Sequence, residues 1–141
     1  MDDKSTEQAA MLTGGCLCGA IRYQVSAAPF DADYCHCVQC QKSSGAVFQA
    51  WMDFKFEQIS WIAGAVTEYA SSEHILRGFC AQCGCTMSYR DRRYPDYYTL
   101  TIASLDKPSS VKPNYHIYTQ NQVSWLNIVD DCQRYQYERS S

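Results

Sequence analysis

Cys35-His36-Cys37-Val38-Gln39-Cys40 brings three thiols into six residues. Moving outward, two more cysteine pairs bracket it: Gly15-Cys16-Leu17-Cys18-Gly19 upstream and Phe79-Cys80-Ala81-Gln82-Cys83-Gly84 downstream. A Cys-x-x-Cys-Gly turn lets two sulfurs face one point, and its glycine permits the tight backbone around a metal. Cys80, Cys83 and Gly84 match that turn, and Cys16-x-Cys18-Gly19 is one residue shorter. Two ligands from each turn complete the usual set of a structural zinc. The spacing therefore predicts one closed centre at Cys16, Cys18, Cys80 and Cys83. Cys35, Cys37 and Cys40 predict a second zinc, whose fourth corner goes to water, a distant side chain or a substrate atom. Closure of that corner by Cys85, Cys132 or His36 would make this centre structural too. A redox dithiol at Cys80 and Cys83 would need a helix after the second thiol, and none is expected there. An iron–sulfur cluster would need four suitably spaced thiols around one core and would colour the protein.

The wider composition suits such a domain. At 141 residues, with 46% hydrophobic and 19% charged residues, the chain has the size and apolar content to bury one core. Its aromatic residues are mostly tyrosine, which favours β structure. The net charge of −3 and the lack of any Lys/Arg run argue against a nucleic-acid groove or an anionic membrane as partner. Met1 to Gln8 are polar and acidic, without the apolar core of an export signal, and no stretch reaches the length of a membrane span. A cytoplasmic location is expected, where thiols stay reduced. Nine cysteines there read as metal ligands rather than disulfides, and an odd number leaves one unpaired under full oxidation.

Residues 1–12 are expected to form a flexible tail, and 13–141 a single zinc-binding domain. Alternation predicts strands at Ala20 to Val25, Ala46 to Trp51, Val66 to Tyr69, Thr86 to Tyr89, Tyr97 to Ile102 and Tyr115 to Tyr118. Gln41 to Gly45 reads as a small polar turn, and Trp125 to Tyr137 as strand or short helix. With no long amphipathic helix, repeat or linker, the fold class is mainly β.

Three segments resemble the glutathione-dependent formaldehyde-activating family, which includes centromere protein V-like members. They are Gly14-Gly15-Cys16-Leu17-Cys18-Gly19-Ala20-Ile21-Arg22-Tyr23, Cys35 through Ala46, and Arg77-Gly78-Phe79-Cys80-Ala81-Gln82-Cys83-Gly84. Leu105-Asp106-Lys107-Pro108, Pro113 and His116-Ile117 are weaker echoes. The resemblance implies an Mss4-like fold of several coiled antiparallel sheets stapled by two zinc ions. It implies structural zinc on Cys16, Cys18, Cys80 and Cys83, and catalytic-type zinc on Cys35, Cys37 and Cys40. The activity it implies is that of a carbon–sulfur lyase similar to S-(hydroxymethyl)glutathione synthase, with a small thiol such as glutathione and a small aldehyde as partners. The chain departs from the family pattern at Cys85, where Ser or Thr is usual, and at Ala103-Ser104, where Gly is common. It also lacks the usual Leu-Pro near Cys132-Gln133-Arg134-Tyr135.

Ser43, Ser44 and Gly45 are candidates for holding a carboxylate of the thiol through hydroxyls and backbone N–H groups. Arg77 could bind an anionic group, but pairing with an internal carboxylate is the favoured reading. His36 could relay a proton, although such a residue more often points to solvent, and no role is assigned to it. Trp51, Trp61 and Trp125 are expected in the core. His74 and His116 carry no local signal. The alternative function is a non-catalytic glutathione carrier or a zinc-stabilised interaction module. No oligomeric state follows from the sequence.

Overall fold

The computed structural model describes residues 11–139. Most of the expected tail lies outside the described residues; its last residue, Leu12, instead opens a strand. Along the chain run β1 (Leu12–Gly15), β2 (Arg22–Val25), β3 (Asp31–Cys35), α1 (Val38–Ser44), β4 (Gln49–Lys55) and β5 (Ile59–Ala63). They are followed by β6 (Thr67–Ala70), β7 (Ile75–Phe79), β8 (Thr86–Asp91), β9 (Tyr97–Thr101), β10 (Tyr115–Ile117) and β11 (Gln133–Arg134). One sheet has the order β1-β2-β5 and the other β11-β10-β3-β4-β9-β8-β7-β6. The protein is thus mainly β, with two predominantly antiparallel sheets.

The register of the larger sheet decides where chemistry can occur. Side chains alternate between faces, and directly paired residues share a face. Ala32 pairs with Met52, Met52 with Leu100, and Phe54 with Tyr98, and this face is buried. It packs with Tyr23 and Val25 of the small sheet into the main core. Trp61 meets Tyr23 and Tyr98 edge-on at 5.9 and 6.0 Å, and the Tyr23 hydroxyl lies 2.7 Å from Ser104 Oγ. On the opposite face Asp31, Asp53, Thr99, Tyr89 and Arg77 form one row across β3, β4, β9, β8 and β7. Asp33, Cys35 and Trp51 share that polar face by the same alternation.

Two expectations change. The sheets are not wholly antiparallel, because β10 runs parallel to β3 and β11 parallel to β10. Parallel neighbours cannot be joined by a tight hairpin. Here the chain returns from β9 through 3-10 turns at Ile102–Ser104 and Pro108–Ser110, then lies beside β3. The second change is α1, which replaces the polar turn expected over Gln41 to Gly45. Cys37 caps its start, the Sγ accepting the Cys40 N–H at 3.3 Å. Gly45 ends it at φ 73°, a left-handed conformation that glycine adopts without a Cβ penalty, and donates its N–H to Gln41 O. Within 125–137, only Gln133–Arg134 is strand.

Candidate metal centres

The two outer cysteine pairs meet. The sulfurs of Cys16, Cys18, Cys80 and Cys83 all lie within 4.8 Å of one another. Cys16 and Cys18 are 3.6 Å apart, and Cys18 and Cys80 3.8 Å. Sulfurs bound about 2.3 Å from a tetrahedral zinc stand about 3.8 Å apart, whereas a disulfide needs about 2.05 Å. The spacing fits thiolates around one ion, and all nine cysteines are free.

Local backbone explains the convergence. β1 delivers the chain to Cys16, whose Sγ accepts the Ile21 N–H at 3.3 Å, and Gly19 turns back at φ 83°. After β7, Gly84 at φ 76° donates to Cys80 O at 2.7 Å, closing the matching turn. β8 then begins at Thr86, with no helix after Cys83 as a redox dithiol would need. Burial opposes ionisation of Cys16, yet the Ile21 N–H and the neighbouring thiols outweigh it and lower this thiol to about 6. The Ala20 N–H favours ionised Cys18, but sharing charge with Cys16 pushes Cys18 up to about 11. A divalent cation removes that competition.

The second cluster is built differently. Cys35 ends β3, Cys37 caps α1, and Cys40 sits in its first turn; their sulfurs lie within 4.8 Å of one another. No fourth Cys, His, Asp or Glu atom joins this group among the described residues. Hydrogen bonds from Cys35 and Cys40 hold Cys37 well below the usual thiol range, and the Cys37 contact drives Cys35 well above it. Without a metal, the three sulfurs share negative charge poorly.

Arg77 lies against this cluster. Its Nη1 donates to Ser43 Oγ at 3.1 Å and approaches Cys40 Sγ at 3.8 Å, its Nε donates to Ser71 Oγ at 3.2 Å, and its guanidinium covers the Tyr89 ring. The expected carboxylate partner is therefore replaced by a sulfur, two hydroxyls and an aromatic face. Trp51 Nε1 donates to Cys40 Sγ at 3.5 Å, so this tryptophan borders the cluster. Trp61 packs against the core as expected, whereas Trp125 is exposed.

Cys35, Cys37 and Cys40 all line a cavity of about 550 Å³, together with Trp51, Arg77 and Tyr89. Asp33 and Asp53, which no motif in the sequence marks, line it as well. Burial and the neighbouring Asp53 and Asp31 carboxylates raise Asp33 to about 8. Burial, partly offset by the Thr99 hydroxyl, raises Asp53 to about 6.

Ser43 supports Arg77 and borders a neighbouring recess, while Ser44 donates to Cys40 O at 2.7 Å and Gly45 caps α1. The Gln41 and Gly45 N–H groups bond within α1, so they form no open anion cradle. Cys85 approaches Met87 Sδ at 3.7 Å and stands outside both clusters. His36 is buried rather than solvent-facing. Its Nε2 lies 2.9 Å from His116 Nδ1, and His116 Nε2 lies 3.0 Å from Asp130 Oδ2. Burial first, then His116 and Arg134, lowers His36 to about 4. Cys132, His116 and Asp130 also come together, although Arg134 already occupies Asp130 Oδ1 at 2.6 Å.

The fold and its two clusters define a class: a mainly β protein with paired thiol centres able to hold metal ions, one of them facing a cavity. The family described as glutathione-dependent formaldehyde-activating enzyme matches residues 11–121, and the chain belongs to that family. A Halomonas elongata protein named "Putative glutathione-dependent formaldehyde-activating enzyme" is 23% identical over 128 residues, spanning 84% of this chain and 81% of that protein. A crystal structure of a Rhodobacter sphaeroides protein shares the fold with a TM-score of 0.58 and 24% identity, over 72% of this chain and 92% of that one.

Proposed function

We propose that this protein is a zinc-dependent carbon–sulfur lyase that joins a glutathione-type thiol to formaldehyde or a similar small aldehyde. The thiol sulfur bonds to the carbonyl carbon and the thiol proton ends on the carbonyl oxygen, giving an S-hydroxymethyl adduct. In this reading Cys16, Cys18, Cys80 and Cys83 hold a structural zinc, and Cys35, Cys37 and Cys40 hold the second. Zinc at the triplet would keep an incoming fourth sulfur ionised and nucleophilic at neutral pH.

The supporting observation is the three-sulfur group at the cavity, without a fourth protein donor in its cluster among the described residues. The chain's own residues then prepare the place. Arg77, held by Ser43, Ser71 and Tyr89, sets a permanent positive charge beside Cys40. A divalent ion and Arg77 together neutralise three thiolates, which lowers repulsion toward an incoming anionic sulfur. Trp51 donates to Cys40 and walls the cavity, and α1 fixes Cys37 and Cys40 on one turn. No helix among the described residues is long and apolar enough to cross a membrane. A reducing, cytoplasmic setting suits nine free thiols.

The test combines metal analysis, calorimetry with glutathione, and initial rates of adduct formation at substoichiometric protein. Two zinc ions, thiol binding and a rate above the uncatalysed background are expected. Binding without acceleration would make the protein a carrier. Two zinc ions without thiol binding would reduce it to a zinc-stabilised module.

A further inference from the structure

At the far edge of the larger sheet, β10 and β11 bring three donors of different kinds together. One ligand atom each from His116, Asp130 and Cys132 lies within 4.8 Å of the other two. These residues stand apart from those that line the cavity at the thiol triplet. Strand pairing assembles them. β11 runs parallel to β10 with His116 opposite Arg134, and the Tyr135 N–H donates to His116 O at 2.9 Å. Asp130 and Cys132, just ahead of β11, are thereby carried to the His116 ring.

Each donor is held by contacts that leave a ligand atom toward the others. His116 is fully buried, its ring stacked on Tyr34 and its Nδ1 2.9 Å from His36 Nε2. An outer partner of this kind orients a ligating imidazole. Asp130 Oδ1 accepts from Arg134 at 2.6 Å and from the Cys132 N–H at 2.9 Å, so Oδ2 remains for His116 Nε2 at 3.0 Å. His116, then the Cys132 N–H and Arg134, keep Asp130 well below the usual carboxylate range. Cys132 Sγ has a weak contact with Pro113 O at 3.6 Å, and burial, then the Asp130 charge, pushes this thiol up.

A hydrogen bond accounts for the His116–Asp130 contact but gives the adjacent thiol no part. Imidazole, carboxylate and thiolate are the three side-chain ligand types of zinc. Around a tetrahedral ion with bonds of about 2.0–2.3 Å they stand about 3.3–3.6 Å apart. The His116–Asp130 contact would open by about 0.3 Å, and Cys132 would move at most about 1.3 Å.

We propose that His116, Asp130 and Cys132 form a third zinc site, weaker than the two thiol centres, that clips the C-terminal segment to β10. The proposal is independent of the thiol-binding reading above. A single sulfur and the loss of the His116–Asp130 hydrogen bond rank this site below all-thiolate centres, so it fills only with zinc beyond two equivalents. On binding, the Cys132 proton leaves to solvent, because a coordinating thiol is deprotonated. The ring proton of His116 then belongs on Nδ1, facing His36 Nε2, and water completes the shell. The clip acts where packing is thin. β11 has two residues, and Trp125 and Val129 of the same segment are exposed.

The test titrates further zinc into folded chain that already holds zinc at both thiol centres. Calorimetry on the wild type should show a third binding event. Cys132→Ala, at a half-buried position outside both thiol clusters, should weaken that event at least ~10-fold, the least that even an outer partner of a ligand contributes. Asp130→Asn should do the same. Alkylation by iodoacetamide, read by mass spectrometry, locates the ion. With free zinc about tenfold above the Kd of the third event, Cys132 should react about tenfold more slowly, while Cys85 is unchanged. Absence of a third event in the wild type overturns the proposal. So does a third event undiminished in Cys132→Ala, or alkylation of Cys132 that ignores zinc. The alkylation comparison needs only the wild-type chain, so a variant that fails to fold leaves it decisive.

Discussion

The two thiol clusters are built from the same side chain in different ways, and on the proposed reading they serve different ends. In the four-thiol cluster, two turns with left-handed glycines bring sulfurs together across 62 residues of chain. Four sulfurs make the full set of a structural zinc, and on the proposed reading that ion would pin β1 and β2 to the β7–β8 hairpin. The three-thiol cluster draws one sulfur from a strand end, one from a helix cap and one from a helical turn. Around it stand a cation, an indole N–H and a cavity. One missing sulfur and its neighbours separate a staple from a site able to take a visitor.

Mutation should divide the two sharply. Cys80→Ser should remove more than ~5 kcal/mol of stability, since metal binding at a structural site is folding free energy. Loss of the cooperative thermal transition and of zinc would report it. Cys37→Ser should keep the fold, lose one of two zinc ions, and weaken glutathione binding by at least ~100-fold, on the order of 3 kcal/mol. Equal collapse in both variants would erase the distinction.

The cavity side also predicts a pH signature. Asp53 titrates at about 6 when folded, above its ordinary 3.8. Its contribution to stability is therefore complete below 3.8 and disappears as pH rises through 6. Relative to wild type, Asp53→Asn should become more stable by on the order of 2–3 kcal/mol between pH 4 and 7.5, measured by urea unfolding at each pH. A pH-independent difference would mean that Asp53 titrates alike in the folded and unfolded chain.

Two smaller effects sharpen the contrast. Arg77→Met should cost about tenfold in thiol affinity while leaving two zinc ions bound, and Arg77→Lys should fail to restore it, because Lys cannot span Ser43, Ser71 and the Tyr89 face together. Asp130→Asn removes the charge at the end of the His36–His116–Asp130 chain. A loss of about 1–2 kcal/mol in thermal stability is expected, with the four-thiol cluster unaffected.

Ligand spacing makes both cysteine clusters legible in the sequence, because each half of the first and the whole of the second are local along the chain. Of the strands of the polar face, β4, β8 and β9 are visible at least in part as alternation, whereas Asp31 to Asp33 reads as a turn or loop after Pro29 and instead forms β3. What escapes is long-range or chemically unusual. Helix α1 is hidden because a cysteine caps it, where Ser, Thr, Asp or Asn would have announced it. The parallel pairing of β10 with β3 and the His36–His116 contact join residues 80 or more apart, beyond any local pattern. Charge pairing is the default for a buried arginine, whereas the partners of Arg77 are sulfur, hydroxyl and ring. Asp33 is missed because its segment reads as a loop although it forms β3, and Asp53 joins it only through the register of β3 with β4.

The central claim is that one centre is sulfur-saturated and the other is not. X-ray absorption at the zinc edge measures this directly on protein with two zinc ions bound. The account predicts about 3.5 sulfurs per zinc on average in the free protein, rising to about 4 when glutathione is added. A value of about 4 before addition, or no change after it, would contradict the account.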